Sequence, residues 1–449
     1  CSSSATTLPI FHLLPARVSE LPNGWVECWD PGREICYYFN SLTGITQWIH
    51  PIHGKNGDDL DLMFRKKRFK LLYSIRERDW PQGGRKILKM TLRRSHLVVD
   101  SFEAIRRLDV GKLKLKTKVI FANEEGIDSG GLTKEWFLLL SRHLLDPQRC
   151  LLVKLEDSGT ALNQSNGNNS TRYHIDYRSS INQQHLQYFH FLGILLAKAI
   201  YDRQLVDLPL CKAVYKYILG RPATLQDLEQ MDPLYHRSIV WMLKNDITDV
   251  IVENFTVTVE NFGQMQEIEL IPGGSQIQVT NDNKGRYVQA ILDWKTSGSV
   301  LKQLKAIREG FQTVLPINDI KDFTEDEINL LLNGKQTFSV EELRQATRYT
   351  GGYSTTSVTI NIFWSVLESF GQEKRGELLQ FTTGTTKAPL DGFDPCFTIT
   401  LASSEAGTQA LPTSHTCFNQ LVLPAYETEK EMEKKLLYAF EHAGGFHMS

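Results

Sequence analysis

Apolar and polar positions alternate over three short runs near the start of the chain, residues 25–29, 35–39 and 45–49. Turn chemistry separates them, at Asp30-Pro31-Gly32 and over 41–44. β-rich runs of this length, bounded by Pro, Gly, Ser and Asn, predict three short strands. Residues 1–20 carry no such pattern and read as a flexible lead-in, while His53-Gly54-Lys55-Asn56-Gly57 opens a polar, glycine-rich linker over 53–61. Beyond it the period changes. Apolar residues recur at three- and four-residue spacing over 182–201, 234–245, 300–311 and 325–332, which predicts amphipathic helices. Residues 189–200 are almost continuously apolar but contain His190 and Lys198. The stretch falls short of the roughly 18–20 apolar residues a membrane span needs, so it predicts a buried helix.

One β-like interval interrupts the helices, from Phe255 through Glu269 to Tyr287, with Gly273-Gly274 and Asn283-Lys284-Gly285 as its turn signals. Residues 163–170, rich in Asn, Ser and Gly, predict an exposed loop. Helical patterns over 339–347 and 359–370 flank Tyr349-Thr350-Gly351-Gly352, where two glycines free the backbone for a bend. Strand-like runs follow at 397–401 and 418–423. A terminal helix then has Thr428 and Glu431 spaced as a capping box, Met432, Leu436, Leu437 and Phe440 on one face, and Gly444-Gly445 as its stop.

Composition narrows the class. In 449 residues, 41% hydrophobic and 23% charged, there is room for two to four globular domains, and wholesale disorder is excluded. Fifty basic against fifty-two acidic residues leave a formal charge of -2, which supplies no net pull toward nucleic acid or anionic lipid. The run Arg65-Lys66-Lys67-Arg68, followed by Phe69, Leu71 and Leu72, reads as the wet face of a helix. Seven scattered cysteines without a CxxC pair read as reduced and intracellular, in cytoplasm or nucleus. The first residue is Cys1, which leaves room for sequence upstream.

Chemistry concentrates at Leu411-Pro412-Thr413-Ser414-His415-Thr416-Cys417-Phe418, where a cysteine follows a polar loop and precedes a strand-like run. An ordinary thiol, with a pKa of about 8.5, is only a few per cent thiolate at neutral pH, so a nucleophile needs exposure and local support. His415 is near enough to help. On spacing alone a buried structural cysteine remains the alternative.

The run LPTSHTCF resembles the active-site loop of HECT ubiquitin ligases, and LLQFTTGTTKAPLDGF and NQLVLPAYETEKEMEKKLLYAFEHAGGF resemble its flanks. Three further segments, EEGIDSGGLTKEWF, NQQHLQYFHFLGILLAKAIY and SIVWMLKNDITD, resemble landmarks of the family's larger lobe in the same order. The resemblance covers about residues 62–449, and within the family it is greatest to the Smurf-type and Nedd-type members. It implies that Cys417 accepts ubiquitin as a thioester from a conjugating enzyme and passes it to a substrate lysine, one difficult transfer split into two. Thioester exchange preserves the bond energy, so no cofactor or metal site is expected. His415 and Thr416 match positions beside the nucleophile and are expected to support the loop. Phe446 matches a phenylalanine that positions the lobes, and Gly351 and Gly352 match the interlobe hinge.

The front segment resembles a WW domain: LPNGW, GREICYYFN, TGITQW and the closing Pro51, with Trp25 and Trp48 at the family's spacing. Trp25, Tyr38 and Pro51 then form its stabilising clasp. Tyr37, Thr46 and Trp48 line the groove for a polyproline II ligand. Ser41 stands where readers of proline-proline-x-tyrosine motifs carry histidine, so weak binding to such motifs is expected.

The expected architecture is α+β. A lead-in (1–20) precedes an all-β WW domain (21–52) and the linker (53–61); a mainly helical large lobe (62–348) with a conjugating-enzyme docking region, a hinge (349–352) and a smaller catalytic α/β lobe (353–449) follow. Expected partners are ubiquitin, a conjugating enzyme, and protein substrates or adaptors, proline-rich ones included. A catalytically inactive HECT-fold binding scaffold is the rival reading. A serine protease reading of Asp128-Ser129-Gly130-Gly131 fails, because Ile127 and Leu132 replace the flanking Gly and Pro that chemistry uses.

Overall fold

The computed structural model describes residues 25–30, 35–40, 46–47, 59–79, 86–124, 131–155, 171–261, 263–335, 337–389, 392–393, 395–402 and 410–443. At 25–47, 59–62, 261, 417 and 443 the description is of backbone alone. Two compact units divide the chain, Cys1–Lys86 and Ile87–Ser449.

In the first unit the three predicted strands form an antiparallel meander, β1 (Trp25–Asp30), β2 (Ile35–Asn40) and β3 (Thr46–Gln47). Its register sets Tyr37 opposite Cys28, Tyr38 opposite Glu27 and Gln47, and Thr46 opposite Phe39. Ser41, Trp48 and Pro51 lie outside the described residues, as does most of the 53–61 linker. Helix α1 (Asp59–Asp79) contains the basic run, and Phe64, Leu71 and Ile75 form its buried stripe while Lys66 is exposed. Because α1 groups with the first unit, the unit that holds both lobes starts at Ile87 rather than at 62.

The larger lobe is built on a parallel pair, β4 (Ile87–Leu92) and β5 (Lys116–Phe121), joined through α2 (Leu97–Arg106) and the single turn α3 (Val110–Leu113). Helix α4 (Gly131–Leu144) and the antiparallel pair β6 (Leu152–Lys154) and β7 (Tyr173–Ile175) come next. Then α5 (His185–Asp202) buries the long apolar run as predicted, and α6 (Lys212–Leu219) follows. Within α5, Lys198 and Asp202 form an ion pair at 2.8 Å with both side chains 2% exposed. Two buried charges persist only with further partners. Lys198 also donates to the Leu115 carbonyl, and Asp202 accepts from the Thr117 amide at 3.3 Å, so the pair fastens α5 to β5.

A satellite of this lobe has its own core of Leu228, Ile239, Met242, Phe255, Tyr287 and Ile291. It comprises α7 (Leu225–Met231), α8 (Pro233–Lys244), the hairpin β8 (Thr256–Asn261) with β9 (Gln264–Glu269), and α9 (Lys284–Thr296). The β-like interval is therefore shorter than the sequence predicts. Asn283 caps α9, and Tyr287 is a helical core residue whose apolar period 287, 288, 291, 292 outweighs the turn signal beside it. The chain then returns to the lobe in α10 (Leu301–Val314), α11 (Ile317–Ile320) and α12 (Glu325–Asn333). Helices α5 and α10 cross backbone to backbone at Gly193 and Gly310, where a Cβ on either would overlap the facing Ile307 or His190 carbonyl.

The carboxy-terminal lobe wraps α13 (Val340–Gln345), α14 (Val358–Ser369), α15 (Gln372–Thr383) and α16 (Glu429–Ala443) around a four-stranded sheet. Its strands are β10 (Arg348–Thr350), β11 (Thr398–Leu401), β12 (Thr413–His415) and β13 (Gln420–Leu423), in the order β10-β11-β13-β12. The first three run parallel and β12 is antiparallel at the edge. This arrangement corrects the hinge. Phe338, Val340 and Leu343 already belong to the lobe's core, and β10 is one of its strands. Gly351 and Gly352 thus turn the chain inside the lobe, with φ of +68° and +107°, and a Cβ on Gly351 would stand 3.0 Å from Thr400 Cγ2. The crossing between lobes lies between Asn333, which accepts from Leu208 N at 2.9 Å, and Phe338.

Candidate active site

Cys417 lies in a 3-10 turn, Thr416–Phe418, that links β12 to β13. Strand β12, which the sequence reading took as polar loop, holds one side of this turn; His415 pairs with Gln420 across it. Buried Leu421 and Leu423 alternate with half-buried Gln420 and Val422, which anchors β13 in the sheet. The turn closes on Asn419, in the left-handed region at φ 49° and buried. Asparagine is among the few side chains that tolerate that conformation. Here its amide also donates to the Pro395 carbonyl at 2.7 Å, while its backbone amide returns to Thr416 O at 3.3 Å and its carbonyl accepts from Thr398 N at 3.0 Å. Three bonds of the chain to itself therefore fix the direction of the turn.

Around this anchor the turn itself faces solvent. His415 and Thr416 are exposed, and Phe418 is 52% exposed, far above what an aromatic next to a strand core shows when it packs inward. Cys211 is buried with Sγ 3.2 Å from His174 Nδ1, and burial pushes its thiol up to about 11. Burial likewise pulls His174 down to about 4, and its Nε2 has no hydrogen-bond partner among the described residues. Such a thiol is neutral and inert. Phe446 lies outside the described residues, as do Gly444 and Gly445.

Sequence reasoning missed the residues that meet the turn from the larger lobe. Lys134, in the first turn of α4, donates to Asn419 Oδ1 at 2.8 Å across 285 positions of sequence. Two turns further on, Arg142 reaches Gln380 Oε1 at 3.3 Å and Asp207 Oδ2 at 2.7 Å, and Lys387 takes the other Asp207 oxygen at 3.0 Å. Burial alone would raise the Asp207 carboxyl, but Lys387 and Arg142 together hold it below the usual carboxylate range.

A second surface stands on the satellite. Trp241, Val250 and Val252 (83%) are exposed around a cleft of about 580 Å³ that Tyr235, Met242 and Tyr287 also line, and Leu234 (61%) is exposed on the same helix, α8.

Comparison with known proteins agrees with this geometry. A WW-domain model matches residues 21–51, and a model described as HECT-domain (ubiquitin-transferase) matches 138–449. The chain is 38% identical over 367 residues, 80% of its length, to the E3 ubiquitin-protein ligase ptr1 of Schizosaccharomyces pombe. It is 35% identical over 445 residues (96%) to the E3 ubiquitin-protein ligase RSP5 of Chaetomium thermophilum and 35% over 441 (96%) to pub1 of Schizosaccharomyces pombe. It spans 11% of the first of these relatives, and 52% and 55% of the other two. With a WW domain in front and the family's model matched over most of its length, the chain belongs to the HECT-domain (ubiquitin-transferase) family.

Proposed function

We propose that the chain is a ubiquitin-protein ligase that takes ubiquitin from a conjugating enzyme as a thioester on Cys417 and gives it to a substrate lysine. The observation that carries this reading is the solvent-facing turn at Cys417, fixed by Asn419 in a chain whose family is defined by that transfer. In the first half-reaction the Cys417 thiolate attacks the thioester carbonyl of the charged conjugating enzyme, whose own thiolate leaves. In the second, a lysine amine attacks the Cys417 thioester; a C–N bond replaces the C–S bond, the thiolate returns to Cys417 and the amine sheds a proton to solvent. His415 and Thr416 support the loop beside the sulfur.

The conjugating enzyme docks on the exposed apolar face of the satellite, Leu234, Trp241, Val250 and Val252. A lobe that swings about the 334–337 crossing brings one cysteine to both partners, and Gly334, at φ +70°, supplies the backbone freedom there. The WW domain selects substrates or adaptors, with Tyr37, Thr46 and Trp48 gripping proline-rich segments in the cytoplasm or nucleus. Incubation with activating enzyme, conjugating enzyme, ATP and ubiquitin tests the reading: a thiol-sensitive ubiquitin adduct on the chain is expected, and its absence with several conjugating enzymes would favour an inactive scaffold.

A further inference from the structure

Helix α4 touches the catalytic lobe through polar groups at both ends of one side. Lys134 holds Asn419, the residue that closes the catalytic turn, and Arg142 holds Gln380 on α15. Eight residues of helix separate them, about 12 Å. Asp207 completes the set by joining Arg142, at 2.7 Å, to Lys387 of the catalytic lobe, at 3.0 Å. Asn419 cannot follow Lys134 without carrying Cys417, because its other bonds tie it to Thr416, Pro395 and Thr398.

These contacts have the character of a clasp rather than a core. Lys387 and Asp207, the ion pair that crosses between the lobes, keep 12% and 28% of their side chains exposed, and partly exposed ion pairs weaken with salt. Several weak polar contacts hold an orientation and still let go, which a lobe that serves two partners requires. Their placement also distinguishes the two half-reactions. The turn is held on α4, in the body of the larger lobe, and not on α8 of the satellite, whose Leu234 and Trp241 face the conjugating enzyme in the reading above.

Resting on that reading, we propose that Lys134, assisted by Arg142 and Asp207, is a positioning residue that clasps the catalytic turn onto α4 for delivery of ubiquitin to lysine, and that the clasp is released for loading. The test uses the full chain in single turnover, with loading of Cys417 and discharge of the preformed thioester onto lysine measured separately. Lys134→Met should leave loading within about twofold and slow discharge at least about fivefold, and Lys134→Arg, which keeps the charge and the reach, should restore most of it. Raising the salt concentration should slow discharge in the unsubstituted chain and have less effect in Lys134→Met. Lys387→Met, which breaks the clasp from the other lobe, should reproduce the selective loss if Lys134→Met proves poorly folded. Equal loss in both half-reactions at an unchanged melting temperature, or unchanged discharge in both methionine variants, overturns the clasp. Failure of the unsubstituted chain to load at all would instead overturn the ligase reading beneath it.

Discussion

Asn419 shows how much of a site depends on a residue that takes no part in its chemistry. It turns the chain at a positive φ, ties the turn to Pro395 and meets Lys134, all two residues from Cys417. The sulfur it positions is tested directly. Cys417→Ala should abolish the thiol-sensitive ubiquitin adduct, and Cys417→Ser should leave at most a thiol-resistant oxyester on a gel run with and without reductant; a persisting thioester in either variant removes Cys417 from the mechanism. His174 yields a second prediction. Its folded pKa, about 4, lies below the ordinary 6.5 because burial disfavours the cation, so the unfolded chain binds its proton first as pH falls. Stability from this residue is complete above pH 6.5 and declines toward pH 4, with a slope approaching roughly 1 kcal/mol per pH unit. Melting temperature should fall over that interval, and His174→Gln should flatten the fall; identical profiles would refute the assignment. Cys417, His415 and Thr416 were singled out from the sequence as candidates because they are contiguous and the motif is specific. Asn419 and Lys134 were not, since neither type is marked for such a role and only folding brings together residues 285 positions apart.

At the scale of elements, legibility followed length. Helices α5, α8, α10, α12 and α14 fall within a few residues of their predicted spans because each repeats an apolar face over several turns. Strands β10 and β12, three residues each, are too short to display a period, and β10 depends on pairing with β11, which is distant in sequence. Misplacing the hinge at Gly351-Gly352 followed from missing β10. A glycine pair signals a turn, and only the sheet reveals that this one closes a strand. Gly351→Ala should therefore act as a packing defect, costing about 1–2 kcal/mol through its φ of +68° and its contact with Thr400. Loading and discharge should decline together with melting temperature, whereas a selective loss of one step would restore the hinge. In the front module, titrating residues 18–54 with proline-proline-x-tyrosine peptides should give weak binding. Ser41→His should tighten it about fivefold, the worth of one hydrogen bond. Sub-micromolar affinity of the unsubstituted module would contradict the expectation drawn from Ser41.

On the proposed reading, one lobe carries the thiol, the other meets its partners, and the contacts between them govern when each step proceeds. One side of that control is polar, at α4. Another is expected at the carboxy terminus, where Phe446 follows the end of α16 and matches the family's lobe-positioning phenylalanine. Helix α16 is itself well anchored, with Met432 and Leu436 buried and Phe440 packed on Phe381 at a centroid distance of 5.6 Å. The helix accordingly has apolar contacts enough to stay folded without Phe446. An aromatic anchor at an interface contributes on the order of 2 kcal/mol or more, about thirtyfold in a rate that depends on the docked state. Phe446→Ala should then leave thioester formation at Cys417 near normal and reduce transfer to lysine by about that factor, with melting temperature unchanged. If Phe446 instead clasps the end of α16, the melt drops and both half-reactions weaken in proportion. Measuring the two half-reactions beside a thermal melt separates the cases, and combining Phe446→Ala with Lys134→Met tests whether both residues stabilise the same arrangement: losses that fail to add place them in one docked state.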